Sequence, residues 1–424
     1  MKRSRTIFFL GVIVAVIMTN FGCSHVTSPG NNPNPNPNPL PISPIEKQVE
    51  SATNSFAANL FGQVAAQEKG ENFFISPLSV SMALAMTLNG ANGKTYDDMQ
   101  KTLGLSGLTN DEINQSYQSL ITMFSNLDPN VTFNIANSIW YRNTFQVISS
   151  FLTTDSVYYN ADVRPLNFSD PNAANVVNSW VSDKTNGKIP DVISPPIDPG
   201  TMMYLINALY FNGTWKYEFD SANTEDKPFA LLSGTNENVP TMMVHDTVMK
   251  YYSDSSFTAV ELPYGSGDYS MLVLLPNGSS SFSDAEVSLT QTEVNNIIDG
   301  LSEQDVVVSL PKFKVEYKTD LVRILTNLGM GSAFSGGADF TRINKTMPLQ
   351  ITGVLHKTYI DVNERGTEAA AVTVVTVGTT VVGPHIGPIY FTVDRPFIFL
   401  IKENHDNTIM FMGAVVDPTA SSQN

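Results

Sequence analysis

The chain of 424 residues has a single cysteine and few basic residues, and each shortage excludes a class of function. With Cys23 alone, no disulfide forms within the chain, and a zinc site built from cysteines is also excluded. The 24 Lys and Arg stand against 40 Asp and Glu, which gives a net charge of −16. Because phosphate binding depends on clustered Lys and Arg, we expect no nucleic-acid partner.

The motifs of enzyme catalysis are missing as well. No histidine stands in H-E-x-x-H, no serine in G-x-S-x-G, and "GSGDYS" and "GMGSAF" lack the third glycine of a dinucleotide-binding loop. Carboxylates are numerous, so a hydrolase with two paired acids stays open as an alternative. We otherwise expect a protein that is not an enzyme and that needs no cofactor and no metal.

The N-terminus has the features of an export signal. A basic start, "MKRSR", precedes the apolar run "TIFFLGVIVAVIM", which has signal-peptide length and is short for a membrane span. The following "TNFGC" resembles a bacterial lipoprotein signal over residues 1–22, with Cys23 as the lipid-bearing residue, although Asn20 stands where an aliphatic residue is usual. Ser24 after the cysteine favours the outer membrane. We expect lipid anchoring, with an ordinary secretory signal as the alternative.

Residues 23–44 are rich in repeated Asn-Pro. Each proline lacks an N–H and keeps its predecessor extended, so neither helix nor ladder is expected there. This composition predicts a polar, semi-stiff tether. No second linker follows, and we expect one large domain over residues 45–419.

Within this domain, helical patterns come first and strand patterns come later. "SPLSVSMALAMTLNGANG" predicts a helix with Ser76 as N-cap and Pro77 in its first turn. "VTFNIANSIWYRN", "MMYLINALYFNGTW" and "DVVVSLPKFKVEY" are rich in β-branched and aromatic residues and predict strands. "DLVRILTNLGM" predicts a short helix that ends at Gly329. This order indicates an α+β fold with large, mostly antiparallel sheets.

The stretch from Gly366 to Pro388 carries one formal charge, Glu368, and has no Lys, Arg or aromatic residue. Small residues are followed by a dense run of Val and Thr, which favours β-strand. Natural proteins usually interrupt such an exposed run with charges, because it pairs with other strand edges. We interpret the unbroken run as a segment that is meant to become a strand.

Alternate residues of this segment form two faces of the expected strand. The first face consists of Thr367, Ala369, Ala371, Thr373, Val375 and Val377, and the second of Glu368, Ala370, Val372, Val374 and Thr376. The first face has small residues at its leading end, which can slide between two strands without a steric clash. The single charge lies on the second face, which can stay in contact with water, and Gly366 supplies backbone freedom at the pivot.

Several stretches together resemble the serpins, the serine protease inhibitor family. They follow the family's order over almost all of residues 45–418, and the set is specific although each member is weak alone. They include "NFFISPLSVSMALAMTLNGANGKTYDDMQKTLGL", "FNIANSIWYRN", "FLTTDSVYYNADVRPLNF", "VNSWVSDKTNGKIPDVI", "MMYLINALYFNGTWKYEFD", "VELPYGSGDYSMLVLLPNG", "LPKFKVEYKTDLVRILTNLGMGSAFSGGADFTRI", "LHKTYIDVNERGTEAAAV" and "RPFIFLIKENHDNTIMFMGAVVDP".

The resemblance implies an α+β serpin fold with three mostly antiparallel β-sheets, eight to nine α-helices and an exposed reactive-centre loop at about residues 364–388. It implies suicide-substrate inhibition of serine proteases, with cysteine proteases as a further class. The protease cleaves the loop, which then inserts into the central sheet as a strand and traps the acyl-enzyme. A non-inhibitory binding protein of the same fold is the alternative.

The resemblance also assigns roles within the loop. The hinge comprises Glu364, Gly366, Thr367, Glu368, Ala369, Ala370 and Ala371. Family spacing puts the reactive bond between Thr380 and Val381, but the following link to "RPF" is longer than usual, so Val377, Thr379, Val381 and Val382 stay open as alternative cleavage positions. Without basic or aromatic residues, the loop suits elastase-like or subtilisin-like proteases, whose primary pockets accept small side chains.

Beneath the strands that part for the loop, the resemblance implies a polar cluster called the shutter, formed by Ser76, Ser79, Asn207 and His356. Trp215 corresponds to the breach, the point where the loop enters the sheet. The alternative is that His356 is an ordinary buried histidine and that Trp215 is an ordinary core aromatic. The expected partners are a covalently bound protease and a membrane, and the protein is expected to be a monomer. No heparin-type site is expected, because "TYDDMQKTL" is acidic.

Overall fold

The computed structural model of the chain describes residues 42–277, 281–367 and 387–420. Several residues predicted above lie outside this part: the lipidation site Cys23, the hinge residues Glu368, Ala369, Ala370 and Ala371, and the reactive bond of Thr380 and Val381. The hinge residues Glu364, Gly366 and Thr367, the shutter and the breach lie within it.

Nine α-helices occur in the described residues, in agreement with the eight to nine implied by the resemblance. They are α1 Pro44–Glu68, α2 Pro77–Leu88, α3 Gly93–Thr102, α4 Asn110–Phe124, α5 Ser149–Tyr159, α6 Ala173–Lys184, α7 Phe282–Ser288, α8 Gln291–Gly300 and α9 Val322–Leu325. Ser76 caps α2 and Pro77 opens its first turn, as predicted. No helix within the described ranges is long and apolar enough to cross a membrane.

The described strands fall into two hydrogen-bonded sheets. They are β1 Phe73–Ile75, β2 Val131–Arg142, β3 Asp162–Leu166, β4 Met203–Thr214, β5 Glu225–Ala230, β6 Asn236–Ser253, β7 Phe257–Tyr264, β8 Tyr269–Pro276, β9 Ser302–Pro311, β10 Phe313–Asp320, β11 Leu355–Asn363, β12 Gly366–Thr367, β13 Ile389–Thr392, β14 Phe397–Glu403 and β15 Ile409–Val415.

The larger sheet has nine strands in the order β1-β15-β14-β8-β7-β6-β9-β13, with β5 paired to β6. It unites two of the three expected sheets, because β6 is 18 residues long and pairs with β5 near one end and with β7 near the other. The ladder between β6 and β9 shifts register between Val244 and Thr247, where one part of the sheet passes into the other.

The stretch "DVVVSLPKFKVEY" contains two strands that belong to different sheets. β9 ends at Pro311 in the larger sheet, and β10 begins at Phe313 in the smaller sheet. The backbone N–H of the intervening Lys312 still bonds to the carbonyl oxygen of Pro240 in β6 at 2.9 Å, so the chain leaves the larger sheet directly after Lys312. Apolar alternation continues across the junction, and the sequence pattern alone therefore reads as one strand.

The smaller sheet has the order β10-β11-β12-β4-β2-β3. Strands β2 and β4 pair along their length, from Val131 with Gly213 to Tyr141 with Met203. On the other side, β10 and β11 form an equally regular antiparallel ladder. Between β4 and β11, the described residues include only the two of β12.

Helices cover both faces of the smaller sheet. Successive side chains of β4 point to opposite faces. Leu205, Leu209 and Phe211 join the main core, to which α2 also belongs. Tyr204, Ile206 and Ala208 join a smaller apolar cluster with α6 and the segment that follows it. Because α6 lies over β2 and β4, this half of the sheet carries a helix that the β10–β11 half does not share.

Candidate functional site

Among the described residues, β4 and β11 are joined only through the two residues of β12, and the space between these strands is called the cleft below. At one end of the cleft, Thr367 pairs with Gly213 of β4 on one side and with Val362 of β11 on the other. Beyond this point, no ladder joins β4 directly to β11 within the described residues. The two strand edges that face each other carry the backbone groups with which an added strand would pair.

Residues from both faces of the sheet line this cleft. Ser76 and Ser79 line it on the side of the main core, at the start of α2. Thr185 and Ile189, which follow α6, line it on the opposite side. The cleft therefore passes through the sheet, as it must if it is to receive a strand and not a ligand on one surface.

At the end of the cleft, Gly366 lies against the backbone of β4. A Cβ atom at this position would be 2.0 Å from the carbonyl oxygen of Gly213 and 2.8 Å from the Cα of Thr214. The φ angle of Gly366 is +151°, a conformation that residues with side chains rarely adopt. Only glycine fits here, so the predicted pivot is also the point of closest backbone approach.

Thr367 is buried, with 2% of its surface exposed. Its hydroxyl shares a hydrogen bond of 2.6 Å with the hydroxyl of Tyr264. The buried Tyr264 ring stacks on Trp215, with 4.4 Å between ring centroids and 12° between planes. Burial raises the pKa of Tyr264 well above its usual value, so this hydroxyl keeps its proton.

The breach residue Trp215 holds the turn that leads into the hinge. Its Nε1 donates to the carbonyl oxygen of Asn363 at 2.9 Å. Its backbone N–H donates to the carbonyl oxygen of Arg365 at 2.8 Å. The Asn363 side chain also accepts from the Arg365 N–H at 3.0 Å. These bonds set the direction in which the chain turns from β11 towards the cleft.

Glu364 fixes the same turn by its charge. Its carboxylate lies 3.0 Å from Lys312 Nζ and accepts from the Thr224 hydroxyl at 2.9 Å, while its carbonyl oxygen accepts from the Phe219 N–H at 3.0 Å. Burial acts to raise the pKa of Glu364, but hydrogen bonds from its own backbone, Lys312 and Thr224 outweigh that effect and lower it. The carboxylate therefore stays charged at neutral pH.

The four shutter residues form a chain of contacts beneath the cleft. The N–H of Ser76 donates to His356 Nε2 at 3.0 Å, and Ser76 Oγ accepts from the N–H of Ser79 at 3.3 Å. The Ser79 hydroxyl then donates to the backbone oxygen of Asn207 at 3.4 Å. His356 belongs to β11 and Asn207 to β4, so the two serines of α2 connect the two edges of the cleft.

The Asn207 side chain is only partly satisfied. Its Nδ2 donates to Asn137 Oδ1 at 2.6 Å, but its buried Oδ1 has no hydrogen-bond partner within the described residues. A buried polar atom without a partner costs roughly 1–3 kcal/mol. Such a cost favours any rearrangement of the cleft that supplies a donor.

His356 is buried and uncharged at neutral pH. Burial lowers the pKa of His356 to about 4, because the charged ring would lose its hydration. Since Nε2 accepts from Ser76, the proton of the neutral ring lies on Nδ1. Protonation of Nε2 would remove that bond and place a charge beneath the cleft.

Three contributors to this site were not predicted from the sequence. Tyr264 lies in "FTAVELPYGSGDYSMLVLLP", Lys312 in "LPKFKVEY" and Asn137 in "VTFNIANSIWYRN". These stretches contribute to the family resemblance, but no role was assigned to the three residues. Their roles depend on contacts between elements that are far apart in the chain. The one local signal for such a role is a polar residue within an apolar strand, as Asn137 is in β2.

The described part of the chain also holds no cluster of three His, Cys, Asp or Glu suited to a metal ion. What the site offers is a slot between strands, a buried pivot that leads into it and a polar floor. These features can accept a strand, whereas none of them activates a nucleophile.

Comparisons with known proteins point in one direction. A family profile described as "Serpin (serine protease inhibitor)" matches residues 51–418. The chain is 37% identical over 351 residues to Iripin-3 from Ixodes ricinus, which covers 82% of this chain and 89% of that protein. It is 33% identical over 382 residues to the leukocyte elastase inhibitor from Sus scrofa, and this match covers 88% of this chain and 100% of that protein.

Solved structures show the same similarity. The native state of the thermophilic serpin tengpin superposes with a TM-score of 0.79 at 33% identity, covering 89% of this chain and 95% of tengpin. Thyroxine-binding globulin in complex with thyroxine superposes with a TM-score of 0.78 at 28% identity, covering 88% of this chain and 99% of that protein.

Proposed function

The chain belongs to the serpin family and has the serpin fold, and we propose that it is a suicide-substrate inhibitor of serine proteases, with cysteine proteases as a further class of target. A relative at 33% identity is named as an elastase inhibitor. Since a fold alone does not establish a function, the proposal depends on the site. The observation that carries it is the cleft between β4 and β11, with Thr367 seated at its end.

In the proposed mechanism, the protease attacks the reactive loop as a substrate, and its active-site serine forms an ester with the loop while the peptide bond breaks. The residues that follow Thr367 then enter the cleft and pair with both strand edges. This insertion carries the acylated protease away and distorts its active site before water hydrolyses the ester. The inhibitor is consumed, which is why no catalytic turnover is expected.

The driving force comes from pairing that the intact protein leaves unmade. Each hydrogen bond gained in a ladder contributes on the order of 1 kcal/mol, and the apolar side chains of the segment add burial. A folded domain is stable by roughly 5–15 kcal/mol, so a full strand is large on that scale. The intact state is then held by a kinetic barrier and is not the free-energy minimum.

The loop composition supports elastase-like or subtilisin-like targets. From Gly366 to Pro388 it lacks the basic residues that trypsin-like proteases require and the aromatic residues that chymotrypsin-like proteases prefer. We propose cleavage between Thr380 and Val381, with Val377, Thr379 and Val382 as the neighbouring alternatives. Mass spectrometry of the released C-terminal peptide identifies the bond.

We further propose that the inhibitor is exported and held at a bacterial membrane through a lipid on Cys23. The supporting features are the signal-like residues 1–22 and the Asn-Pro-rich residues 23–44, which would lift the domain from the surface. Replacing Cys23 with Ala should release the protein from the membrane fraction without changing inhibition. Retention of that variant in the membrane would contradict lipid anchoring.

A panel of proteases tests the inhibitory function. We expect an SDS-stable complex with elastase-like or subtilisin-like enzymes, and none with the same enzyme after its active-site serine is replaced. Complexes with a trypsin-like enzyme alone would contradict the argument from composition. Cleavage without any complex would instead indicate a non-inhibitory binding protein, and turnover that survives loop substitutions would indicate an enzyme.

A further inference from the structure

Asp155 of α5 is a buried carboxyl group that the proposed mechanism does not use. It is 0% exposed, and its Oδ1 accepts from Asn89 Nδ2 at 2.8 Å. Its buried Oδ2 has no hydrogen-bond partner within the described residues. A buried carboxylate needs a cation or several donors, so a site with a single amide donor suits the neutral acid and not the anion.

The side chains around Asp155 are uncharged. Its titratable neighbours are Tyr117 of α4 and Tyr159 of α5, and burial raises the pKa of both tyrosines, so both keep their protons. Asn89, which directly follows α2, is neutral. Burial raises the pKa of Asp155 well above its usual value, and the hydrogen bond from Asn89 opposes this only in part, with no charged side chain of the described residues taking part.

Asn89 begins a series of buried hydrogen bonds that leads away from Asp155. The side chains of Asn89 and Asn114 donate to each other at 3.0 Å in both directions, and Asn114 Oδ1 also accepts from the Tyr159 hydroxyl at 2.9 Å. Asn114 lies on α4. These bonds therefore hold α5 against α4 and against the end of α2.

The series continues from α5 to the shutter. The carbonyl oxygen of Tyr159 accepts from Asn137 Nδ2 at 2.7 Å, and Asn137 Oδ1 accepts from Asn207 Nδ2 at 2.6 Å. Asn207 belongs to β4, at the edge of the cleft. The connected residues are called the polar network below, and they are Asp155, Asn89, Asn114, Tyr159, Asn137 and Asn207.

The polar network joins two parts of the fold that strand entry would move apart. Neighbouring strands lie about 4.7–4.9 Å apart, so an inserted strand displaces β4 from β11 by about that distance. α5 follows β4, because β2 pairs with β4 along its length and is joined to α5 through Asn137 and through β3. α2 follows β11, to which the 3.0 Å bond from Ser76 to His356 holds it. Entry should therefore draw Asp155 away from Asn89.

We propose that Asp155 makes strand entry dependent on pH, through the polar network that connects it to the shutter. This inference rests on the proposed function, since the strand in question is the cleaved loop. When α5 moves from the end of α2, water reaches the carboxyl group, which ionises and releases its proton. Asp155 acts through the polar network and not on the protease, so it is a positioning residue.

Proton linkage gives the direction of the effect. A carboxyl group with a raised pKa stabilises the closed cleft at low pH, and this stabilisation is lost as the pH rises towards the raised value. Entry should therefore be faster at higher pH. Each pH unit accelerates it by up to about tenfold if the proton is fully released at the barrier, and by less if release is partial. Asp155→Asn stays neutral at every pH and lacks this acceleration.

Glu286 offers a matched control. It is another buried acid, 2% exposed, and burial raises its pKa to about 8. It lies on α7, which packs against α1 and contributes no residue to the polar network. Asp155→Asn and Glu286→Gln each replace a buried acid with its neutral amide, and only the first removes a titrating group from the polar network.

The test uses the full chain and a fluorescent synthetic peptide with the sequence of residues 367–377, and it measures the rate of peptide incorporation from pH 5.5 to pH 8.5. The ratio of the parental rate to that of Asp155→Asn should rise by at least about fivefold across this range. Glu286→Gln should follow the parent at every pH. His356 is present in all three proteins, so its titration cancels in the ratios. Circular dichroism verifies that both variants are folded.

A ratio that stays constant with pH would overturn the proposal, as would the same change with Glu286→Gln, which would assign the pH dependence to global stability. A parental rate that does not rise with pH would overturn it even if a variant failed to fold. If the parent still forms SDS-stable complexes in these cases, the role of Asp155 alone falls and the proposed function stands. If no protein incorporates the peptide and no protease complex forms, both proposals fall.

Discussion

The breach and the shutter are two regions of one cleft, and they are built in opposite ways. At the breach, Glu364, Trp215 and Thr367 each have a polar partner, and Gly366 touches the β4 backbone. In the shutter, the Oδ1 atom of Asn207 has no partner among the described residues. His356 is held there without its charge.

This difference separates two tasks that strand insertion requires. A firmly held pivot determines where the strand starts and in which register it pairs. A polar cluster whose hydrogen bonds are incomplete, such as the shutter, is easier to separate, because fewer hydrogen bonds are lost when β4 and β11 move apart. Under the proposed mechanism, the breach would specify the insertion and the shutter would permit it.

The largest effect is expected from Thr367→Arg, which puts a charge on a residue that is 2% exposed between two strands. A buried unpaired charge costs more than about 3 kcal/mol, so the share of encounters that end in a protease complex should fall by at least about 100-fold. The protein becomes a substrate, which gel analysis shows as a cleaved chain without a complex.

Thr367→Ser is the matched control, because it keeps the hydroxyl that bonds to Tyr264. It should inhibit like the parent protein. Unchanged inhibition by Thr367→Arg would show that a charge is tolerated between β4 and β11, and it would count against the buried position of Thr367 at the start of the inserted strand.

Gly366→Ala tests the close approach at the pivot. The added Cβ meets the Gly213 carbonyl, and the backbone strain at a positive φ adds about 1–3 kcal/mol. We expect roughly tenfold less complex per inhibitor molecule and a lower melting temperature of the uncut protein. Gly387→Ala should change neither, because no atom of the described residues lies within 4 Å of the new Cβ.

His356→Gln tests the shutter through its pH dependence. Burial lowers the pKa of His356 to about 4, whereas the unfolded value is near 6.5, so between these values the unfolded chain binds more protons. Stability from the neutral ring is complete above pH 6.5 and declines as the pH falls towards 4. From pH 7 to pH 5 the parent should lose about 2 kcal/mol relative to the variant.

The measurement is the difference between the two proteins in the free energy of unfolding, obtained from urea denaturation at each pH. Glu50 and Glu286 have pKa values raised to about 8 by burial, and they stabilise the fold as the pH falls below that value. Both are present in parent and variant, so they cancel. A difference that does not vary with pH would show that His356 is not held neutral by the shutter.

The smallest effect is expected from the ion pair of Glu364 and Lys312. Lys312 is 40% exposed, and such pairs contribute roughly 0.2–1 kcal/mol. A double-mutant cycle of Glu364→Gln and Lys312→Gln should give a coupling energy in this range when unfolding is measured. A coupling energy of zero would show that the position of Glu364 depends on its hydrogen bonds with the Thr224 hydroxyl and the Phe219 N–H, and not on Lys312.

Local patterns predicted much of the fold. The cap at Ser76 and the long strands β2 and β4 follow from signals within a few residues. The union of two sheets through β6 was not predictable, because it depends on which strands β6 pairs with along its length. The split between β9 and β10 at Lys312 was missed for the same reason.

For the site, the assignment of hinge, shutter and breach residues from the family motifs stays a prediction. The structure shows that those within the described part lie around one cleft, but their partners were not predicted. The contact between Thr367 and Tyr264 joins positions 103 residues apart, and the bond from Trp215 to Asn363 spans 148. The ion pair of Asp191 and Lys357, at 2.8 Å, likewise joins positions that are 166 residues apart. Contacts of this kind arise from packing, and only the folded structure reveals them.

Comparing the melting temperatures of the intact protein and of the protein cut once within residues 368–386 tests the central claim most directly. If the cut loop completes the sheet between β4 and β11, the cleaved form should melt about ten degrees higher or more, because several kcal/mol of new pairing are added. A cleaved form that melts at or below the temperature of the intact protein would contradict the account.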